Sequence, residues 1–536
     1  MSKVVANTLL TVACICYSLA ALAQKKSPQN WQLLSPAQDN VYGMGVEEAY
    51  KLLAGRKPET VIVAVIDSGV DTAHADLNEV IWTNEDEIPN NGIDDDNNGY
   101  IDDVNGWSFI GGKKEDLNYA AFELGRIHYR LSNKFKNVDS TSLSEKDLKE
   151  FEYYKTIQEA FDEQLTKFNS TEYFYGLLVG YMDKVRKLNL GKFTRDGLKN
   201  AAAVTPLDKK LKKILLKQTK KEDPEKLYKD FVEAHETYTN WIKFNTSDAD
   251  SIRAAIIGDD PKDTTNRIYG CNRVIGPDAI HGTHVAGIIA AVRNNNIGMD
   301  GVADNVRIMP VRAVPNGDER DKDVANAIRY AVDNGAHIIN MSFGKGYPLN
   351  KRLVDEAVMY ALSKDVLLVH AAGNDAKNCD LSISYPNRNL DQGVTALNWL
   401  QVGASDYKKG KKLLASFSNY GKQQVDVFAP GYKIYSTTPD SSYQRLSGTS
   451  MASPSTAGAA ALLKSYFPHL SAIEIRNVLM KTVTPYTKKV IVPGSSKKYL
   501  LFFKKHKKQH MAELCVSGGF VNVYNAVVYL LAEESK

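Results

Sequence analysis

The segment Val61-Ile62-Val63-Ala64-Val65-Ile66-Asp67-Ser68-Gly69 decides the fold. Its run of β-branched and small apolar residues is typical of a short strand that is buried on both faces. Strands of this kind occur in parallel sheets, where helices cover both sides. Asp67 follows at the carboxyl end of the strand, where such sheets form their ligand crevices.

Similar apolar runs predict further buried strands at residues 306–311, 337–341, 366–369, 400–403 and 425–429. Helical patterns lie between several of these runs. One helix ends at Gly335 and has an apolar face at Val324, Ala327, Ile328, Ala331 and Val332. The alternation of strands and helices predicts an α/β fold with a doubly wound parallel sheet.

The alternation is interrupted between residues 111 and 270, where Lys and Glu become frequent. Apolar residues recur there every three or four positions, on one face of a predicted helix at Tyr154, Ile157, Phe161, Leu165 and Phe168. A second such helix begins after Asp223-Pro224. We therefore expect residues 24–110 and 271–536 to form one α/β domain, with a mainly helical insertion at 111–270. This insertion is interpreted as a hairpin on the domain edge, a lid over a cleft or a docking surface.

The amino terminus has the pattern of an export signal. Lys3 precedes an apolar run at residues 4–22, and Ala21-Leu22-Ala23 forms a small-x-small cleavage site. These features predict a signal peptide at residues 1–23 and an exported protein, periplasmic or extracellular.

Two alternatives concern the same segment. Asn7, Thr8 and Ser18 interrupt the apolar run and weaken its interpretation as an uncleaved anchor. Lipid attachment at Cys14 or Cys16 would leave a very short apolar region before the modified cysteine. No later run reaches the roughly 20 apolar residues of a spanning helix, so no transmembrane segment is expected in the mature chain.

The overall charge and the cysteines exclude some classes of function. Lys and Arg number 67 against 63 Asp and Glu, a net charge of +4, which gives no reason to expect a nucleic-acid partner. The basic run at 504–508 is interpreted as a solvated loop. Removal of the signal leaves Cys271, Cys379 and Cys515, of which at least one must be free. No Cys-x-x-Cys spacing supports a zinc site.

Three segments contain residues for nucleophilic catalysis. Asp67 ends a buried strand, and His281 begins the helical segment His281-Gly282-Thr283-His284-Val285-Ala286-Gly287. Ser450 lies in Gly448-Thr449-Ser450-Met451-Ala452-Ser453-Pro454. Because Pro is tolerated in the first turn of a helix, we expect a helix to begin near Thr449 or Ser450.

The chemistry requires these residue types. A Ser hydroxyl becomes an effective nucleophile when a neutral imidazole takes its proton, and a carboxylate fixes the tautomer of that imidazole. The oxyanion that forms needs fixed donors, for which Asn374 and the Ser450 backbone N–H are the candidates. His74 and His284 are interpreted as structural, and Cys379 as a packing residue.

The three segments, in this order, resemble the signatures of the subtilisin-like (subtilase) serine peptidases. Asn374 falls on the family's oxyanion asparagine. The resemblance covers residues 30–110 and 271–530, and it includes the closing segment 517–523. It implies an endopeptidase that cleaves proteins or peptides through an acyl-enzyme and needs no cofactor for catalysis. A catalytically silent peptide-binding scaffold and a peptide ligase remain as alternatives.

The resemblance also implies a specificity pocket between two backbone segments, along which extended substrate pairs as an added strand. The expected substrate-binding residues are Ser342, Phe343, Gly344, Ala372, Gly373 and Ser384. Ser384 falls at the pocket floor, and its small neutral side chain predicts a roomy pocket without strong charge selection.

An acidic segment at residues 90–103 contains a second candidate site. Asp94, Asp96 and Asn98 alternate and Gly99 follows, which is the opening pattern of a calcium loop. Tyr100 would offer its carbonyl and Asp102 or Asp103, the latter preferred, a late carboxylate, since position 105 is Asn where such loops have Glu. We expect a structural calcium ion here. A solvated acidic turn is the alternative.

Overall fold

The computed structural model describes residues 27–139, 141, 143–495, 497–500 and 503–536. The predicted signal peptide, with Cys14 and Cys16, lies outside these residues. The described chain divides into two compact units: residues 27–118 with 250–536, and residues 119–249. The predicted insertion, 111–270, is wider than the second unit at both ends.

Among the described residues, the strands all lie in the first unit, and they are numbered in chain order. They are β1 Val61–Asp67, β2 Trp107–Ser108, β3 Val306–Arg312, β4 Ile338–Met341, β5 Leu367–Ala371, β6 Trp399–Ser405, β7 Val427–Pro430, β8 Ile434–Thr438, β9 Ser442–Leu446, β10 Thr484–Pro485, β11 Val490–Ile491, β12 Lys497–Leu500, β13 Phe503–Lys505, β14 Lys508–Gln509 and β15 Gly519–Phe520.

Nine of these strands form one sheet in the order β10-β15-β7-β6-β5-β4-β1-β3-β2. Its pairs are parallel except β10 with β15. Strand β1 lies between β3 and β4, with Asp67 opposite Arg312 and Ile66 opposite Met341. Each apolar run of the sequence forms a strand of this sheet, which confirms the predicted α/β class.

The helices are numbered in the same way. They are α1 Val46–Leu53, α2 Glu123–Phe135, α3 Glu145–Leu188, α4 Arg195–Asn200, α5 Pro206–Gln218, α6 Pro224–Asn245, α7 Ala249–Ile257, α8 Ile280–Ala290, α9 Asp321–Asp333, α10 Lys351–Ser363, α11 Thr449–Tyr466, α12 Ala472–Lys481 and α13 Val523–Glu534.

Helices cover both faces of the sheet because its strands are apolar on both sides. Helices α8 and α11 pack on β1 and on each other, within a core that includes Val63 and Val65. Helix α9 packs on β1 and β3, and α10 packs on β5 and α9. Small residues such as Gly282, Ala286 and Gly287 let α8 approach its neighbours closely.

Residues 119–249 form the second unit, which is helical as the insertion was predicted to be. Its longest helix, α3, has 44 residues and packs against α2 and α6. Ser144 caps α3, and Asp223 with Pro224 begins α6 at the predicted position. A local core at the end of α3 includes Met182, Leu198 and Leu215.

Two further features of the fold concern the cysteines and the helix lengths. Cys271, Cys379 and Cys515 are all free. Within the described ranges, no helix is both long and apolar enough to cross a membrane.

Helix α8 touches the carboxyl end of β1 through Gly282. A Cβ at this position would lie 2.1 Å from the Gly69 carbonyl oxygen and 3.1 Å from Asp67 Cβ. We therefore expect Gly282→Ala to push α8 away from β1 and to lower the free energy of unfolding by about 2 kcal/mol, a typical cost of overpacking. Thermal unfolding followed by circular dichroism measures this change.

The control is Gly180→Ala, because Gly180 is also helical but a Cβ there would have nothing within 4 Å. Alanine should stabilise that helix by up to about 1 kcal/mol. Equal melting of Gly282→Ala and the parent protein would contradict close packing at this point.

Candidate active site

The last residue of β1 and the second residue of α8 are joined by a short hydrogen bond. His281 Nδ1 lies 2.6 Å from Asp67 Oδ1. A carboxylate only accepts hydrogen bonds, so Nδ1 must have the proton, and the neutral imidazole has its lone pair on Nε2. Asp67 is 2% exposed, whereas 38% of the His281 side chain is exposed. The pair therefore combines a buried acceptor with an accessible base.

The charge of Asp67 changes the proton affinity of His281. Burial lowers the pKa of His281, but the attraction of the Asp67 carboxylate and its hydrogen bond raise that pKa by more, with a small contribution from Asp278. The net effect is a pKa above the ordinary 6.5. Asp67 Oδ1 also accepts from the Ser68 N–H at 2.8 Å, which fixes the carboxylate.

Ser450 is the second residue of α11, which begins at Thr449 as predicted. Pro454 lies inside this helix, beyond the first turn, whereas the sequence predicted it within that turn. Because Pro has no N–H, the Ser450 carbonyl lacks its helical donor, and Ser342 Oγ donates to it at 3.0 Å. In return Ser450 Oγ donates to the Ser342 carbonyl at 3.2 Å. These two bonds hold the serine beside Ser342.

Asn374 follows β5 and is oriented by Thr449. Its Oδ1 accepts from the Thr449 N–H at 2.8 Å and from Thr449 Oγ1 at 3.1 Å. The amide therefore presents Nδ2 on its other side. Asn374 Nδ2 and the Ser450 N each lie 3.5 Å from the position a Cβ of Gly448 would take. Both nitrogens therefore lie next to Gly448, and an N–H in the first turn of a helix has no helical acceptor.

A cleft of about 560 Å³ adjoins these groups. Ser450, Asn374 and five of the six predicted substrate-binding residues line it: Ser342, Phe343, Gly344, Gly373 and Ser384. Ala372 is fully buried, and its neighbour Ala371 lines the cleft instead. The alternating side chains of an extended segment cause this one-residue shift.

His370 lies beneath the cleft and was not identified from the sequence. It is completely buried, and Gln401 Oε1, which also accepts from the Trp399 indole N–H at 2.8 Å, lies 3.1 Å from its Nδ1. Burial lowers the pKa of His370 to about 4, so this ring is neutral. Its Cε1 lies 3.7 Å from the position a Cβ of Gly344 would take. His370 is a single histidine between apolar residues of a strand, and this pattern does not indicate that a residue lies beneath a cleft.

His284, His74 and Cys379 have contacts that agree with the structural roles predicted for them from the sequence. His284 Nε2 contacts the carbonyls of Ile434 and Gln444, and burial lowers its pKa to about 3. His74 Nε2 contacts the Ser442 carbonyl, and its Nδ1 accepts from the Asp76 N–H. Burial raises the pKa of the Cys379 thiol to about 12, which keeps it protonated.

The acidic segment brings together a different set of oxygens from the predicted one. Side-chain oxygens of Glu87, Asp96 and Asp103 lie within 4.8 Å of one another. Asn98 Nδ2 donates to both Asp96 and Asp103. Asp94 instead accepts from the N–H groups of Asn98 and Gly99 and closes the turn.

Two further observations concern this acidic segment. The Tyr100 ring packs on Trp107 and Tyr330. Glu87 was not predicted from the sequence, because it precedes the loop. The spacing of calcium loops places the bidentate carboxylate at the end of the loop.

A sequence comparison identifies the family to which this combination of residues belongs. A model of the subtilase family matches residues 59–499, most of the chain. The chain belongs to the subtilase family.

Several curated relatives resemble this subtilase. Subtilisin Savinase from Lederbergia lenta is 42% identical over 205 residues, 38% of this chain and 70% of Savinase. Alkaline protease from Alkalihalobacillus alcalophilus is 42% identical over 205 residues, 38% of this chain and 50% of that protein. Thermophilic serine proteinase from Bacillus sp. (strain AK1) is 41% identical over 251 residues, 46% of this chain and 52% of that protein. The chain thus spans about half the length of the last two relatives.

Two solved structures are also similar to this subtilase. The protease domain of PatA is 28% identical with a TM-score of 0.37, and the match covers 48% of this chain and 82% of that domain. The prenylagaramide maturation protease PagA is 29% identical with a TM-score of 0.37, covering 47% and 82%.

Replacing Asp67 by Asn should lower the pKa of His281, because burial persists while the attraction of the carboxylate is lost. An NMR titration of the His281 ring measures this pKa. Asp278→Asn is the control and should lower it only slightly, since Asp278 contributes least. An unchanged pKa in Asp67→Asn would contradict the origin assigned to the shift.

The same shift has a consequence for stability. Since the folded pKa of His281 is raised, the pair's stabilising contribution is fully present below pH 6.5. It is lost as the pH rises through the folded pKa. Because Asp67→Asn lowers the folded pKa of His281, this loss of stability with rising pH should disappear in the variant, as denaturant unfolding at several pH values would measure.

Proposed function

We propose that this subtilase is a serine endopeptidase with Asp67, His281 and Ser450 as its triad. The 2.6 Å contact between Asp67 and His281 is the observation that supports the proposal best. It fixes the tautomer that a general base requires, with the lone pair on Nε2. Packing of α8 against α11 places the helices of His281 and Ser450 side by side.

In the proposed reaction, Ser450 Oγ leaves the Ser342 carbonyl and gives its proton to His281 Nε2 as it attacks the substrate carbonyl. Asp67 stabilises the imidazolium that forms. His281 then protonates the leaving amine, and an acyl-enzyme remains on Ser450. Water, activated by the same imidazole, hydrolyses the acyl-enzyme and restores the serine.

The oxyanion of each tetrahedral intermediate would accept hydrogen bonds from Asn374 Nδ2 and the Ser450 N–H. Both nitrogens lie next to Gly448, and the bonds from Thr449 to Asn374 Oδ1 hold the amide in its orientation. Because the donors are fixed before the charge develops, they stabilise the transition state without reorganisation.

The substrate would bind in the cleft as an extended strand along the backbone of residues 342–344. Gly344 keeps the pocket open, because a Cβ there would lie 3.2 Å from the Tyr385 carbonyl oxygen and 3.3 Å from Ser384 Oγ. Lys345 adjoins the pocket, but its ammonium group lies 2.7 Å from the Asp321 carboxylate and is buried. The pocket floor is therefore neutral, which favours uncharged side chains at the cleavage site.

The signal pattern at residues 1–23 supports export, and we propose a periplasmic or extracellular enzyme.

We also propose a structural calcium ion at Glu87, Asp96 and Asp103. Two oxygens that bind one calcium ion at about 2.4 Å can be at most about 4.8 Å apart, which the cluster satisfies. Glu87 is 5% exposed, and its Oε2 is buried without a hydrogen-bond partner. Burial raises the pKa of both Glu87 and Asp103, which is the cost that a bound cation would relieve.

A fluorophosphonate probe tests the triad directly. It should label the parent protein and fail to label Ser450→Ala, because only an activated serine reacts at a useful rate. Ser447→Ala is the control, three residues away in the same segment, and it should label normally. Peptide hydrolysis should be lost in the same variant that loses labelling.

Asn374→Leu should still be labelled at Ser450. Its kcat for peptide hydrolysis should fall roughly 100- to 1,000-fold, with a small change in KM. Absence of labelling in the parent protein would contradict the proposal and favour a silent peptide-binding scaffold. Products with the mass of joined peptides would favour ligation.

Chelation tests the calcium proposal. Removing calcium should lower the melting temperature of the parent protein, because ion binding to the folded state stabilises it. Glu87→Gln should melt lower and should not respond to the chelator. The neighbouring Glu85→Gln should respond like the parent. A parent melting curve that is identical with and without chelator would refute the site.

A further inference from the structure

The second unit contains a strongly basic segment. Residues 184–221 contain thirteen Lys and Arg and two Asp, a net charge of +11, whereas the whole chain has +4. The rest of the chain therefore has a net charge of −7. The basic segment comprises the end of α3 and helices α4 and α5, which pack around the local core at Met182, Leu198 and Leu215. We call residues 184–221 the basic lobe.

Most of the charge of the basic lobe is not neutralised. Within this fully described segment, seven exposed lysines have no carboxylate partner: Lys187, Lys192, Lys209, Lys210, Lys213, Lys217 and Lys220. Lys209, Lys213 and Lys217 are spaced by four residues and form one stripe on α5. With Lys212 and Lys220 they line a groove of about 500 Å³ that contains no acidic residue. Like charges at this spacing repel one another, so the lobe favours an anionic partner.

Exposed apolar side chains accompany the lysines. Leu188 is 77% exposed, Leu190 99% and Val204 80%. Val204 is next to Ala203, which lines the lysine groove. Leu190 also has a positive φ of 51°, a conformation that suits Gly or Asn. Neither packing nor backbone geometry accounts for leucine at this position, which indicates a contact outside the chain.

We propose that the basic lobe attaches the protein to an anionic lipid surface. The lysines would bind headgroup phosphates, and Leu188, Leu190 and Val204 would enter the boundary between headgroups and acyl chains. A soluble polyanion would use the charges but not the apolar side chains, which is why a bilayer fits the surface better. The proposal does not depend on the peptidase activity.

Flotation with vesicles tests the proposal with the full chain. The protein should bind phosphatidylcholine vesicles that contain phosphatidylglycerol, and it should not bind pure phosphatidylcholine. Lys209→Gln/Lys213→Gln/Lys217→Gln/Lys220→Gln should weaken binding by roughly two to three orders of magnitude, about fivefold for each lysine. Added salt should weaken the binding of the parent protein, because it screens exposed charges.

The matched control changes four exposed lysines of the first unit that also have no ion pair: Lys409→Gln/Lys411→Gln/Lys412→Gln/Lys488→Gln. It alters the net charge equally and should bind as the parent does. Equal losses in both quadruple variants would overturn the lobe as the attachment surface. Unchanged circular dichroism and melting show that both variants are folded.

A second variant separates lipid from soluble polyanions. Leu190→Ser/Val204→Ser should reduce vesicle binding at least about tenfold, since each side chain loses its burial in the lipid. Its binding to heparin should be unchanged. If this variant binds vesicles as tightly as the parent while the lysine variant does not, the lobe binds polyanions and the lipid proposal is wrong.

Discussion

The contact between the buried Asp67 carboxylate and the His281 imidazole is the constraint on which the site depends. It joins residues separated by 214 positions, one at the end of a central strand and the other at the start of a helix. Burial of a carboxylate is costly unless its charge is compensated. The hydrogen bonds from the imidazole and the Ser68 N–H offset this cost, so they stabilise the fold and also hold the imidazole in position. Gly282 permits this approach, because any side chain there would meet the Gly69 carbonyl just after β1. The same bond raises the pKa of His281 and sets its tautomer.

Ser450, the proposed nucleophile, is held by a second arrangement, which begins with a hydrogen bond that its helix lacks. Pro454 leaves the Ser450 carbonyl without a helical donor, and Ser342 supplies one while accepting from Ser450 Oγ. Ser342 also lines the cleft, so the wall of the cleft and the start of α11 are one hydrogen-bonded unit. Thr449 extends this unit to Asn374. Changes in the pocket are therefore expected to affect the position of the serine.

Much of this could be predicted from the sequence, because strands buried on both faces and small-residue helices have strong local patterns. The strand at Val61 and the helix start at Thr449 followed from such patterns. The roles of Glu87 and His370 did not, since each depends on neighbours that are distant in sequence. Ala371 lines the cleft in place of Ala372, because successive side chains of an extended segment point to opposite sides and an error of one residue therefore selects the buried one. The charge of the basic lobe was hidden in a chain-wide net of +4, because the rest of the chain has a net charge of −7.

The central claim is that Ser450 reacts through a base whose proton affinity Asp67 sets. The pH dependence of the rate of fluorophosphonate labelling tests it most directly, because this rate requires neutral His281. The rate should rise with pH through a midpoint above 6.5 that equals the pKa of His281 measured by NMR. In Asp67→Asn both values should fall together, and the maximal rate should drop. A labelling rate that does not depend on pH, or a midpoint that stays unchanged in Asp67→Asn, would contradict the account.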